Sequence, residues 1–172
     1  LTIDPNDNLI FKAINKFRLL TNWKQKFKIY LDKKIPIGAG LGGGSADAAS
    51  TLILLRKLYN NEHKTRKIEL STLYEIGIEL GSDVPACLQS KDLRIEGCGN
   101  NITRTKIVNN NYFLLINPNI NLSTKDVFNY FANSTFKENL IPSSCFGNIS
   151  VHNSLLSSAI NFAPQIFDVL LY

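Results

Sequence analysis

The chain has 172 residues, of which 44% are hydrophobic and 19% charged, and its formal net charge is +5. This length suits one domain, or one domain with part of a second, and supplies a core without disulfide or metal support. The three cysteines are too widely spaced for a zinc motif or a disulfide framework, which points to a reducing, cytoplasmic compartment. No apolar run is long enough for a membrane span, so we expect no membrane partner.

Basic residues concentrate in the first fifth of the chain. Eight of the nineteen lie in the range Lys12–Lys34, where Asp32 is the one acidic residue. A nucleic-acid surface is one interpretation of such a cluster. However, Phe27, Ile29 and Leu31 alternate with more polar residues, which is typical of a strand with one solvated face. We favour the solvated face and expect no nucleic-acid partner.

The first half of the chain predicts three helices and one strand. In chain order these are a helix over 8–20, a strand over about 25–33, a helix over 45–59 and a helix over 69–80. Asp7 or Asn8 can cap the first helix. The second helix is rich in alanine and leucine, and its predicted buried face includes Ala49, Ile53 and Leu54.

The second half of the chain mixes short strands with helices. Strands are expected near 84–96 and at 112–117, and a helix opens with Ser123 or Thr124 as its cap. The remainder predicts a loop and then helix, in two segments that Pro164 separates. Strands and helices mixed in this order predict an α+β or α/β layer fold.

A glycine cluster lies between the first strand and the second helix. Five of the chain's ten glycines occupy the seven positions 38–44. Glycine is costly in regular structure, so a cluster indicates a backbone that bends sharply or passes close to a ligand. A helix that begins after such a loop presents free amide groups and a partial positive charge. Phosphate is therefore the expected ligand.

Two general phosphate-loop patterns fit the cluster poorly. Gly38, Gly40 and Gly43 satisfy the dinucleotide fingerprint, but Glu62, near the required acidic position, lies in a polar stretch that cannot be a buried strand. The spacing of Gly38 and Gly43 also fits the P-loop, but Gly44 occupies the position of its lysine. Both interpretations are rejected.

A third pattern matches closely. The stretch "PIGAGLGGGSADAA" resembles the phosphate loop of the GHMP kinases, the group of galactokinase, homoserine kinase and mevalonate kinase. Its triple glycine followed by Asp-Ala-Ala is similar to the loop of the 4-diphosphocytidyl-2-C-methyl-D-erythritol kinases. Four further stretches agree in order across roughly 7–128: "DNLIFKA", "GSDVPACL", "EGCG" and "INPNINLSTKDVF".

This resemblance implies a fold and a division into domains. The expected fold is α+β, a two-domain GHMP-kinase-like fold in which both domains are incomplete. An ATP-binding amino-terminal domain without its first strands would cover 1–108, and the start of the carboxy-terminal domain would cover 109–172.

The resemblance also implies an ATP site with Mg²⁺. Backbone amides of the loop would surround the triphosphate, and the Ser45 hydroxyl would bond a phosphate oxygen or Mg²⁺, besides capping the helix. Asn8 would approach the adenine, although by itself it is typical of a cap. The implied ATP-binding residues are Asn8, Leu9, Pro36, Ile37, Gly38, Ala39, Gly40, Leu41, Gly42, Gly43, Gly44, Ser45 and Ala46.

The resemblance assigns Asp83 as the catalytic residue, which takes the proton of the substrate hydroxyl as that group attacks the γ-phosphate. By pattern alone Asp83 could be a residue at a helix end or turn. Lys33, Thr124 and Phe128 align with residues that bind the nucleotide-bearing substrate, and Phe128 would stack on cytosine. The alternatives are an exposed lysine at Lys33 and a core position at Phe128.

The sequence departs from the family pattern at its ends. The family's catalytic lysine region would precede Leu1, and its third glycine-rich motif would follow Tyr172. Asn100 stands where the family usually has glutamate. We therefore expect a truncated or degenerate kinase that phosphorylates the 2-hydroxyl of 4-diphosphocytidyl-2-C-methyl-D-erythritol with ATP, in non-mevalonate isoprenoid synthesis. The alternative is a non-catalytic nucleotide-binding or folding remnant.

Overall fold

A computed structural model describes residues 7–105, 112, 114–120, 122–134, 144–146, 149–151 and 153–170. In chain order the elements are α1 (Leu9–Thr21), α2 (Gly43–Glu62), α3 (Leu70–Leu80), α4 (Val84–Gln89), β1 (Leu93–Glu96), β2 (Asn101–Arg104), α5 (Thr124–Asn133), β3 (Ser144–Phe146), β4 (Ile149–Val151), α6 (Leu156–Phe162) and α7 (Gln165–Leu170). The strands form two antiparallel hairpins, β1–β2 and β3–β4.

The chain divides into two compact units. The first unit comprises Leu1–Asp32 and Gly42–Asn111, and the second comprises Lys33–Leu41 and Tyr112–Tyr172. The domain boundary expected at residue 108 stays a prediction. Within the described ranges, no helix combines the length and the apolar composition that crossing a bilayer requires.

Helix α1 begins and ends with local hydrogen bonds that its sequence encodes. The side-chain oxygen of Asn8 accepts a bond from the Ile10 amide at 2.9 Å, which confirms Asn8 as the cap. At the other end Asn22 takes a left-handed conformation (φ 53°), and its amide donates to the Arg18 carbonyl. The predicted helix over 8–20 is thus confirmed within one residue at each end.

The core of the first unit is formed by α1–α4 and the residues that follow α1. Phe17 is fully buried, and its ring centroid lies 6.2 Å from that of Trp23 and 5.9 Å from that of Tyr59. The Trp23 indole N–H donates to the Glu62 carboxylate at 3.2 Å, so its polar group has a partner. The buried core residues are Ile10, Ala13, Ile14, Phe17, Trp23, Ala48, Ala49, Leu52, Leu55, Tyr59, Leu73, Ile76, Val84 and Leu88.

Helix α2 buries a different face from the predicted one. Ala49 is buried as expected, but the side chains of Ile53 and Leu54 are 42% and 56% exposed. Leu52 and Leu55 are buried instead. Successive residues are rotated by about 100° around the helix axis, so the side chain of Ile53 points in a different direction from that of Leu52 and away from the core.

The segment after α3 is part helix and part hairpin. The prediction of a strand near 84–96 is wrong for its first part, because Val84–Gln89 form the helix α4. Pro85 lies in the first turn of α4, where a helix has no use for the backbone N–H that proline lacks. The remainder forms β1, which pairs with β2 so that Ile95 faces Ile102. The α3 glycine Gly77 lets α4 pack closely, since a Cβ there would lie 3.4 Å from the Val84 side chain.

Two predicted strands are not strands in this structure. Residues 25–33 lack a ladder partner within the described ranges, and so do the described residues of 112–117. Tyr30 and Leu114 are 80% and 85% exposed. Alternating apolar residues indicate a preference for extended backbone, whereas a strand also requires a paired neighbour.

The second unit contains α5–α7. The Ser123 hydroxyl accepts a bond from the Asp126 amide at 3.3 Å, so Ser123 is the predicted cap of α5. Pro164 separates α6 from α7, as its lack of an amide predicts. The rings of Tyr130 and Phe162 meet edge to face at 5.5 Å, which joins α5 to α6.

Candidate active site

The amino end of α2 is built to receive an anion. Helix α2 is 20 residues long, and its cap, Gly42, has no side chain to bond the first amides. The first helical bond runs from the Ala46 amide to the Gly42 carbonyl at 2.9 Å. The amides of Gly43, Gly44 and Ser45 therefore precede the intrahelical ladder, and no acidic residue lies in the first turn. These amides and the helix dipole favour a bound phosphate.

The loop that leads into α2 has a backbone that only glycine adopts easily. Gly38, Gly40 and Gly42 have φ values of 76°, 70° and 66°, so every second residue is left-handed. A Cβ built on Gly40 or Gly42 would meet no described heavy atom within 4 Å. Open space beside these glycines means that their backbone faces remain accessible to a ligand.

The start of α1 lies against the first turn of α2. A Cβ on Gly44 would lie 3.5 Å from Leu9 Cδ1, so the structure brings Leu9 to the predicted phosphate loop. Asn8 precedes it and is occupied as the α1 cap. Ser45 is half-buried and Ala46 exposed in this first turn.

Asp83 lies exposed between α3 and α4. It is the cap residue of α4, but its side chain caps no amide, and the Ser82 hydroxyl lies 3.5 Å from its Oδ1. Two backbone bonds fix the turn: the Val84 amide donates to the Gly81 carbonyl, and the Cys87 amide donates to the Asp83 carbonyl, both at 3.1 Å. The turn before α4 is therefore fixed by backbone bonds, and the Asp83 carboxylate on it is exposed.

The charge of Asp83 acts on one neighbouring group. Burial, and then the negative charge of Asp83, raise the pKa of the Cys87 thiol above its ordinary value. Cys87 lies one helical turn after Asp83 and packs partly against the core. Sequence reasoning assigned no role to this thiol, because nothing in the letters "DVPAC" indicates burial.

The remaining predicted site residues lie in the second unit. Thr124 is the first residue of α5, and Phe128, four residues later, lies on the same helix face with 54% of its surface exposed. This exposure excludes a core position for Phe128 in the second unit as described. The loop residues Pro36, Ile37 and Leu41 are also exposed, whereas Lys33 and Ala39 are half-buried.

The described residues hold no group of three histidine, cysteine, aspartate or glutamate side chains that could bind a metal by themselves.

A known protein family matches the region of the chain that contains α1 to α4. The family model of the GHMP kinases N terminal domain matches residues 8–91. This part of the chain is similar to the amino-terminal domain of the GHMP kinases. The match covers α1, the glycine loop, α2–α4 and Asp83.

Two curated relatives that match this region carry the same name. The chain is 39% identical over 126 residues to the 4-diphosphocytidyl-2-C-methyl-D-erythritol kinase of Clostridium perfringens. The aligned residues make up 72% of this chain and 42% of the relative. It is 37% identical over 124 residues to the enzyme of that name from Shewanella loihica, with the same two coverages. The chain thus spans less than half the length of these relatives, and the predicted resemblance is confirmed.

A solved structure confirms the predicted fold class. The crystal structure of a 4-(cytidine 5'-diphospho)-2C-methyl-D-erythritol kinase matches this chain with a TM-score of 0.67 and 24% identity. The match covers 98% of this chain and 62% of the other. The chain therefore has the α+β fold of a GHMP kinase.

Proposed function

We propose that this chain binds ATP and transfers its γ-phosphate to the 2-hydroxyl of 4-diphosphocytidyl-2-C-methyl-D-erythritol, in isoprenoid synthesis in the cytoplasm. The observation that carries the proposal is the left-handed glycine loop at the amino end of α2, whose first amides are free to bind phosphate. The names of the relatives support the choice of substrate.

Asp83 accepts the proton in this proposal. The substrate hydroxyl oxygen attacks the γ-phosphorus, the bond to the β–γ bridging oxygen breaks, ADP leaves, and the hydroxyl proton passes to the Asp83 carboxylate. The exposed carboxylate on a fixed turn suits this role. Mg²⁺, when bound, would neutralise charge on the phosphates. Ser45 is the residue beside the loop whose hydroxyl could coordinate the ion.

The substrate's nucleotide would be held from α5 and from Lys33. The exposed Phe128 ring offers a stacking surface for cytosine, an interaction of about 1–3 kcal/mol in nucleic-acid systems. Thr124 offers a hydroxyl on the same helix face. Lys33 supplies positive charge toward the diphosphate.

The proposal is tested first by thermal unfolding of the chain with and without MgATP. A ligand at one hundred times its Kd adds about 2.7 kcal/mol of stability. For a chain of this size we expect the melting temperature to rise by about 2–4 °C per kcal/mol. The same samples are then assayed for transfer of labelled γ-phosphate to the substrate. No thermal response contradicts the ATP site, and binding without transfer favours the non-catalytic alternative.

A substitution in the first turn of α2 should change the stability of the chain and its affinity for ATP in opposite directions. Gly44→Ala adds a methyl group in ordinary contact with Leu9 and has no left-handed backbone to strain, so we expect the chain to gain about 0.4–1 kcal/mol of stability. The same methyl group would hinder phosphate from reaching the first-turn amides, and we expect ATP affinity to fall by about tenfold, or 1.4 kcal/mol. Calorimetric melts and ATP titrations measure the two effects.

The matched control for this variant is Ser50→Ala. Ser50 is exposed on the same helix, two turns further along, and its replacement also favours helix. ATP affinity should not change in this control. Equal ATP affinities in the two variants would show that the amino end of α2 does not bind the nucleotide.

A further inference from the structure

The turn between β1 and β2 contains two glycines in different surroundings. Gly97 and Gly99 both have left-handed backbones, with φ values of 66° and 85°. Gly97, Cys98 and Asn100 are exposed, whereas Gly99 is buried. A buried residue at the tip of an exposed hairpin indicates a specific contact with another element.

Gly99 is buried by the main chain of Ser82. A Cβ built on Gly99 would overlap the Ser82 carbonyl oxygen and would lie 2.7 Å from its carbonyl carbon and 2.9 Å from its Cα. These are backbone atoms and cannot rotate aside. The Cβ of Gly97, by contrast, would meet only the Asn100 side chain, with Oδ1 at 2.7 Å, and that side chain can move. Only glycine fits at residue 99 without a shift of the Ser82 main chain or of the β1–β2 turn away from it.

The contacted residue immediately precedes Asp83. The turn over 81–84 is closed by the bond from the Val84 amide to the Gly81 carbonyl. Any displacement of the Ser82 peptide therefore changes where this turn points the Asp83 side chain. An error of about 1 Å in the position of a catalytic group can cost about 10²-fold in rate.

We propose that Gly99 is a positioning residue for Asp83: its bare backbone seats the β1–β2 turn against Ser82 and so fixes the direction of the carboxylate. Gly99, Ser82 and Asp83 all lie in the first unit. The catalytic consequence rests on the proposed function.

The test compares Gly99→Ala with Gly97→Ala. Each variant puts a side chain on a left-handed residue of the same turn, so both carry a similar backbone strain. Only the Cβ of Gly99→Ala overlaps the Ser82 main chain. In labelled-phosphate transfer assays we expect kcat to fall by about tenfold or more in Gly99→Ala, with the KM for ATP within about twofold of the parent, in line with a small misplacement of a catalytic group. Gly97→Ala presses only on the Asn100 side chain and should lower kcat by no more than about twofold.

A second measurement reports the position of Asp83 without requiring catalysis. In a background with Cys98→Ser and Cys145→Ser, Cys87 is the one remaining cysteine. Its rate of alkylation by iodoacetamide is measured as a function of pH, and the midpoint of that curve is the pKa of the thiol. The Asp83 charge contributes to raising that pKa, so displacing the carboxylate should shift the alkylation midpoint in Gly99→Ala, and by clearly less in Gly97→Ala, which presses only on the Asn100 side chain. Equal midpoints in the two variants would overturn the proposal.

A third variant keeps the test decisive if Gly99→Ala does not fold. Asn100→Ala adds no overlap and removes only the bond from the Cys98 amide to Asn100 Oδ1, 3.1 Å long, which should loosen the turn. We expect a shift of the Cys87 midpoint larger than that in Gly97→Ala, which only presses on the Asn100 side chain, and no shift in Asn100→Ala would overturn the proposal. Absence of transfer by the parent chain would count against the proposed function, whereas the Cys87 titration would still decide the role of Gly99.

Discussion

Asp83→Asn should lower the rate of phosphoryl transfer by about 10²–10⁴-fold, the contribution usual for a general base. Asparagine has the shape of aspartate but cannot accept the proton of the attacking hydroxyl. ATP affinity should stay within about twofold of the parent, since the phosphate loop at the amino end of α2 is unchanged. Single-turnover transfer of labelled phosphate and a separate ATP titration measure the two quantities.

The control for this prediction is Asp92→Asn. Asp92 is an exposed aspartate of the same unit, so its replacement removes the same charge without touching the turn before α4. The Cys87 thiol gives an independent check: without the negative charge of Asp83, its pKa should fall, and at a fixed pH near neutrality it should be alkylated faster. Full transfer activity in Asp83→Asn would remove Asp83 from the proposed reaction.

Phe17→Ala should reduce the free energy of unfolding by about 3–5 kcal/mol. The Phe17 side chain is 0% exposed and meets the rings of both Trp23 and Tyr59, so its loss leaves a cavity between α1 and α2 that rigid neighbours cannot fill. Domains are typically stable by about 5–15 kcal/mol, so this loss is a large part of the total. Urea unfolding followed by circular dichroism measures it.

Phe11→Ala is the matched control, because Phe11 is the same residue type on the same helix and is 48% exposed. We expect a loss of no more than about 1 kcal/mol there, since about half of the side chain is already in water. Similar losses in the two variants would mean that α1 does not pack through Phe17 as described.

Local signals in the sequence predicted the ends of several helices of this chain, although not the short helix α4. Asn8 and Ser123 have the caps expected of them, because a cap depends on residues only two or three positions apart. Pro164 separates α6 from α7 for an equally local reason. The glycine loop was also predictable, since its left-handed backbone and the free amides after it follow from residues next to one another.

Features that depend on distant residues could not be predicted. The segments 25–33 and 112–117 have the apolar patterns of strands, alternating in the first and continuous in the second, but neither pattern carries information about a pairing partner. The exposure of Ile53 depends on which side of α2 meets α1, and the burial of Gly99 depends on Ser82, seventeen positions earlier in the chain. The stretches "GSDVPACL" and "EGCG" were recognised separately, and only the fold shows that they touch.

Trp23 gives this chain a built-in optical probe. It is the one tryptophan in the sequence, is 8% exposed, and lies among Phe17, Phe27 and Tyr59 in the core of the first unit. Its indole is shielded from water and bonded to Glu62, so its emission reports the integrity of this one core, and unfolding shifts that emission to longer wavelength. Fluorescence therefore follows the first unit selectively, without any label, even while the rest of the chain contributes to other spectroscopic signals.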